Sequence, residues 1–300
     1  MTAIPARKTG RRTTEKTVGV EQAPLWSKVV IAVIMVLATL YFIIPVVWLI
    51  IAATKSSGDL YSTPGFSFAH WSLFDNLGSL ASYRGGIFWR WILNSAVYSV
   101  LGAFLTTVIS ALCGYALAVY EFRGKRTLMT ALLISLLVPT TVLAQPIFLL
   151  LVHIGLNNNM LGVLLPSLVY PFGVMLSYTT TMSSVPKEML EAARIDGAGE
   201  FRTFFTIAWR LMSTGLTTVI LFSFVASWNS FLLPLFVLDD PQLYPVTLGL
   251  VDWSQQSTSV AGLGTLTIIG SLVTVVPIVL AFAVLQRFWR SGLTAGGVKF

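Results

Sequence analysis

Five stretches of this chain contain no Asp, Glu, Lys or Arg: residues 29–54, 91–120, 127–186, 211–238 and 253–286. A helix needs about 20 apolar residues to cross the roughly 30 Å hydrocarbon core of a bilayer. Four of the stretches have room for one such helix. The third is about twice as long and is interrupted by Asn157-Asn158-Asn159, so it reads as two helices with a turn between them. Within lipid, backbone groups must find their partners inside the structure. The pattern therefore predicts an all-α polytopic membrane protein with six transmembrane helices, near residues 29–53, 92–120, 128–152, 161–182, 212–237 and 261–286. Charge content agrees: 10% of residues are charged, against about 25% in soluble domains.

The net charge of +7 raises nucleic acid or acidic lipid as partners, but the placement of the charges argues for topology instead. With six spans, all Lys and Arg residues except Lys55, Arg84 and Arg90 fall on the side of the N-terminus. Basic loops stay in the cytoplasm, so both termini are expected there, and no nucleic-acid partner is expected. Cys113, the only cysteine, lies within the second span, which excludes a disulfide framework within the chain. The first apolar run exceeds the 7–15 residues of a cleavable signal, so it is expected to stay as an anchor. Residues 1–27 read as a disordered basic tail, residues 28–300 as the membrane domain, with a core over about 90–287.

The segment 183–210, between the fourth and fifth spans, is the least lipid-like part of the membrane domain. Pro186 suits a helix start, and Glu188 complements the positive end of its dipole. Glu191, Ala192, Ala193 and Arg194 are good helix formers, and Gly197 accepts the left-handed backbone that ends a helix. Phe201, Phe204, Phe205 and Ala208 then recur at helical spacing and predict one apolar face. Two short helices lying beside the inner membrane surface are expected. Ala192, Ala193 and Gly197 are too small for firm lipid burial, but they allow another protein to approach the backbone closely.

Glu191-Ala192-Ala193, then Gly197, then Ile207, resembles the EAA motif of permease subunits in ATP-binding-cassette importers. Glu188, Arg194, Asp196 and Ala198, the pair Trp228-Asn229, and the ending from Gly292 to Lys299 resemble the carbohydrate branch, above all the smaller permease subunit of maltose-type transporters with its MetI-like fold. The resemblance covers nearly the whole chain after residue 28. It implies that Glu191, Ala192, Ala193, Ile195, Asp196, Gly197 and Ile207 dock a separate ATPase, and that Gly296, Gly297 and Lys299 of the tail (287–300) touch it. It implies four partners: a second homologous permease, an ATP-binding subunit dimer, an extracytoplasmic solute-binding protein and a sugar-like solute, in a prokaryotic inner membrane. One departure stands out. The family continues its motif with Leu-Pro, and this chain has Trp209-Arg210, so the helix need not break before the fifth span.

No phosphate-binding G-x-x-x-x-G-K-[ST] sequence is present. ATP and Mg are therefore expected on the partner ATPase, with no cofactor, metal or catalytic residue on this chain. The spans also lack the ionisable residues that proton- or sodium-coupled carriers use as relays. Uncharged polar residues in the spans are the candidates for a solute path: Asn94, Gln145, Ser227, Trp228 and Asn229 foremost, with Thr265 and Ser271 in the last span. Amides and hydroxyls suit a polyhydroxylated solute, and an aromatic face suits a sugar ring. A secondary carrier or channel, or a membrane scaffold without a transport path, is the rival reading.

Overall fold

A computed structural model describes residues 25–295, with side chains up to Gln286. The expected tail contacts Gly296, Gly297 and Lys299, and all but the last three residues of the N-terminal tail, lie outside the described residues. The chain divides into a unit ending at Val47 and a unit beginning at Trp48. Of the first unit, the described part is the apolar start of α1 (Leu25–Ala53).

Fourteen further α-helices follow among the described residues: α2 (Ser57–Ser62), α3 (Leu73–Ser82), α4 (Ile87–Val119), α5 (Lys125–Ser135), α6 (Thr140–His153), α7 (Met160–Ser167), α8 (Pro171–Ser184), α9 (Lys187–Ile195), α10 (Glu200–Thr203), α11 (Trp209–Leu211), α12 (Ser213–Trp228), α13 (Leu232–Val237), α14 (Val246–Gln256) and α15 (Leu263–Ala295). A π-turn, Phe204–Ala208, joins α10 to α11. No strand occurs among the described residues, so the all-α expectation holds.

Among the described residues, four helical stretches are long and apolar enough to cross a membrane: α1, α4, α7 with α8, and α15 to Gln286. Counting two bent pairs as single crossings raises the number to six. The third expected span is one of these pairs. Its helices α5 and α6 meet at 107°, where one span over 128–152 was expected. Proline explains the break: Pro139 has no N–H to donate, disfavours helical backbone at the preceding residue, and stands as the N-cap of α6. Helix α5 packs on α8. The second bent pair joins Glu200–Leu211 to α12 at 84°. This break forms without the family's proline. Met212 sits at the corner fully buried, with its N–H on Ala208 O at 2.9 Å and its Sδ 3.3 Å from Thr181 Oγ1. Packing holds the corner here. At the other end, α15 runs through residues expected to form the tail, as far as Ala295.

Helix α4 is central, packed most extensively on α8 and α12. A Cβ added at Gly114 would lie 2.6 Å from both Ser177 Cβ and Tyr178 N, and one at Gly215 would lie 2.2 Å from Thr180 Oγ1. Glycine there lets α8 approach both neighbours at backbone distance.

One stripe of α4 seats the segment before α14. Trp91 Nε1 donates to Pro241 O at 2.7 Å. Asn94 Nδ2 donates to Gln242 O and Tyr244 O at 2.8 and 3.0 Å. Tyr98 Oη donates to Leu243 O at 3.1 Å, and Val246 N–H donates to Ser95 Oγ at 2.7 Å. The spacing 91, 94, 95, 98 is one helical face, and each bond contributes about 1 kcal/mol net. Beneath it, Trp91 and Trp253 pack with ring centroids 4.7 Å apart, in a core with Leu80, Phe88, Trp228 and Ile269.

Candidate functional sites: an elbow and a cleft

The elbow is built from α9 to α11. On α9, Leu190 and Ala193 point inward and are buried, Leu190 joining Tyr115, Phe204, Ala208, Met212 and Leu216 in a small core. Glu188, Glu191, Ala192 and Ile195 fall on the opposite face and are exposed, Ile195 by 87%. Helix α9 ends in a Schellman motif: Ala198 N–H donates to Ala193 O at 2.9 Å, and Gly197 N–H donates to Arg194 O at 3.0 Å. Gly197 has φ +78°, the left-handed value that glycine takes without strain.

The residues beyond the turn that were expected to share one apolar face differ in burial. Phe204 and Ala208 are buried, whereas Phe201 is 74% exposed and Phe205 48%. The π-turn shifts the helical phase within this stretch, and Phe201 ends outward, as Ile195 does. Ile207 is half-buried.

A three-membered brace ties the elbow to the end of α4. Arg194 Nε and Nη2 donate to Glu200 Oε1 and Oε2 at 2.8 and 3.3 Å, and Tyr120 Oη donates to Glu200 Oε2. The hydrogen bond from Arg194, then that from Tyr120, holds the Glu200 carboxyl below its ordinary range. Burial first, and the Glu200 carboxylate second, push Tyr120 up to about 12.

The second feature is a cleft of about 350 Å³ between the end of α12, α14 and α15. Its polar lining is Asn229, Thr247, Ser254, Thr267, Ser271 and Thr274, with Leu250, Val251, Val275 and Ile278 as apolar wall. That volume is at the lower end of the 300–1,000 Å³ common for small-molecule sites. Among the described residues no cluster of His, Cys, Asp or Glu could hold a metal ion.

Residues 107–291 match the family described as the binding-protein-dependent transport system inner membrane component. The chain belongs to this family. Among curated relatives of this permease is the arabinooligosaccharides transport system permease protein AraQ of Halalkalibacterium halodurans, 36% identical over 72% of the chain and 76% of that protein. AraQ of Bacillus subtilis is 31% identical over 91% of the chain and 96% of its own length. The diacetylchitobiose uptake system permease protein NgcG of Streptomyces coelicolor is 30% identical over 88% and 86%. The fold also matches a chain in the crystal structure of a bacterial ABC transporter involved in the import of the acidic polysaccharide alginate. The TM-score is 0.76 at 18% identity, with 88% of this permease and 96% of that chain covered.

The candidate residues separate into groups. Glu191, Ala192, Ile195, Asp196 and Gly197 are exposed on the permease elbow, while Ala193 is buried beneath them. Asn94 is buried, and both its amide contacts are loop carbonyls, so it is a fastener for the segment before α14. Trp228 is buried in the aromatic core and stacks on Phe224 at 5.8 Å, so its face is not free for a sugar ring. Gln145 is exposed on α6, and Ser227 is half-buried beside Gly102. Asn229 alone of the five lines the cleft, joined by Ser271 from the wider set. Tyr120 and Glu200 were not singled out from sequence, since they lie 80 residues apart. Thr267 and Thr274 were missed as well, although their recurrence with Ser271 at helical spacing in an apolar span is a signal that the sequence carries.

Proposed function

We propose that this permease forms half of the translocation pore of an ATP-driven importer for a sugar or related polyol. On this reading it pairs with a second homologous permease, an ATPase dimer docks on the elbow, and a solute-binding protein delivers solute on the other side. Both termini and the elbow face the cytoplasm, as the basic loops require. ATP and Mg belong to the ATPase. The sugar class is supported by relatives named for oligosaccharide uptake, and a secondary carrier is disfavoured by the absence of charge in the long apolar stretches.

The observation that carries the coupling role is the outward face of the elbow. Moving a two-state transporter from 1:99 to 99:1 takes about 5.5 kcal/mol. An exposed ion pair at Glu191 supplies roughly 0–1 kcal/mol. Burying an apolar side chain supplies about 1.5–3 kcal/mol, so Ile195 and Phe201 together, both exposed here, reach that scale. In this account Glu191 orients the partner, Ile195 and Phe201 grip it, and Ala192 lets it come close. The Schellman turn and the brace to Tyr120 make the elbow rigid enough to pass the displacement to α4 and α12.

The test is co-purification of an ATPase with the tagged permease, and uptake into vesicles with and without ATP. Ala192→Trp adds bulk on the exposed face and leaves the elbow core intact. It is expected to abolish both ATPase recovery and ATP-driven uptake, with the permease still folded. Uptake that survives ATP depletion with ion gradients intact speaks for a carrier.

A further inference from the structure

We propose that the cleft between α12, α14 and α15 selects neutral polyhydroxylated solutes and turns away anionic saccharides such as uronic acids. This rests on the importer reading above and refines its substrate class.

Selection follows from where the hydroxyl protons go. Thr247 Oγ1 donates to Trp228 O at 3.0 Å, Thr267 Oγ1 to Leu263 O at 2.8 Å, Ser271 Oγ to Thr267 O at 2.7 Å, and Thr274 Oγ1 to Gly270 O at 2.7 Å. A hydroxyl has one proton and two lone pairs. With its proton committed to the helix backbone, each of these oxygens faces a solute as an acceptor. Asn229 commits one N–H to Val225 O at 2.9 Å, and its carbonyl oxygen has no partner among the described residues. The lining therefore offers five acceptors, and its uncommitted donors are the second N–H of Asn229 and the Ser254 hydroxyl.

A neutral sugar brings many O–H donors and meets this excess of acceptors. A carboxylate or sulfate brings acceptors and a charge, and must leave water without a counter-charge. Among the described residues no Lys or Arg lines the cleft. The apolar wall of Leu250, Val251, Val275 and Ile278 faces the C–H surface of a pyranose ring. The absence of charge in α15 as far as Gln286 reads as a lipid requirement, but its hydroxyl face gives the same emptiness a second consequence inside the protein.

The experiment uses vesicles from cells making the whole importer. Uptake is measured for a panel of neutral disaccharides, among them cellobiose, melibiose and galactobiose, and for digalacturonate as an acidic counterpart. We expect ATP-dependent uptake of a neutral member and none of digalacturonate. Thr267→Val with Thr274→Val should raise the concentration for half-maximal uptake about tenfold, the effect of losing one to two hydrogen bonds. Thr267→Ser with Thr274→Ser should restore it, and ATPase recovery with the permease should be equal for all three forms. Uptake of digalacturonate at the neutral rate, uptake of no neutral member, or valine variants equal to wild type would each overturn the proposal. Loss of ATP dependence in the same vesicles instead strikes the importer reading, so the two failures are told apart.

Discussion

Gly197 and Glu200 set the geometry of the elbow from two directions, one through the backbone and one through charge. Replacing Gly197 by Ala meets no neighbouring atom within 4 Å, so its whole effect comes from φ +78°. The expected cost is about 1 kcal/mol, read as faster hydrogen exchange at the amides of Gly197 and Ala198, which close the Schellman turn. Glu200 predicts a pH dependence. Its carboxyl is held below the ordinary range in the folded chain, so the brace contributes stability above the unfolded carboxylate pKa of about 4.3. That contribution is lost as pH falls through the lowered folded value. Tyr120, pushed up to about 12, stays protonated and donating throughout the neutral range. The melting temperature in detergent should therefore be higher for wild type than for Glu200→Gln at pH 7, and the difference should vanish in acid. The pair is exposed, so screening limits the effect to at most about 1 kcal/mol.

Among the elements, those bounded by charge and proline were legible in the sequence and those bounded by packing were not. Helix α4 follows its charge-free stretch closely, whereas α15 runs on past the end of its stretch to Ala295. The Gly197 stop of α9 was also legible, because glycine past a good helix former is a local signal. The 84° corner at Met212 was not. It forms where Thr181 of α8 and the elbow core close around a methionine, and no local residue announces it. The fastening role of Asn94 was not legible, because an amide in an apolar span fits either a solute path or a loop carbonyl, and the partner loop lies about 150 residues away. That fastening makes its own prediction. A Cβ at Gly249 would lie 2.2 Å from the Trp91 ring, and Trp91 is held by Pro241. Gly249→Ala should destabilise the seating of α14 by about 1–3 kcal/mol. A lower melting temperature and altered tryptophan fluorescence would report it.

At the scale of the whole molecule, the permease is organised around α4. One end of this helix seats the segment before α14 through Trp91, Asn94, Ser95 and Tyr98, and the other end meets the elbow through Tyr115 and Tyr120. On the proposed coupling, a displacement of the elbow would reach the cleft through α4 and α12, which pack together. Much of α5 and α6 exposes large apolar side chains, among them Leu133, Ile134, Val142, Leu149 and Leu150, a surface suited to lipid or, on the proposed reading, to a second permease. The measurement that bears most directly on the central claim is photo-crosslinking in living cells from a benzoylphenylalanine placed at Ile195. The account predicts one dominant adduct with an ATP-binding subunit, lost when Ala192→Trp is added. An adduct with an extracytoplasmic protein, or with lipid alone, would contradict it.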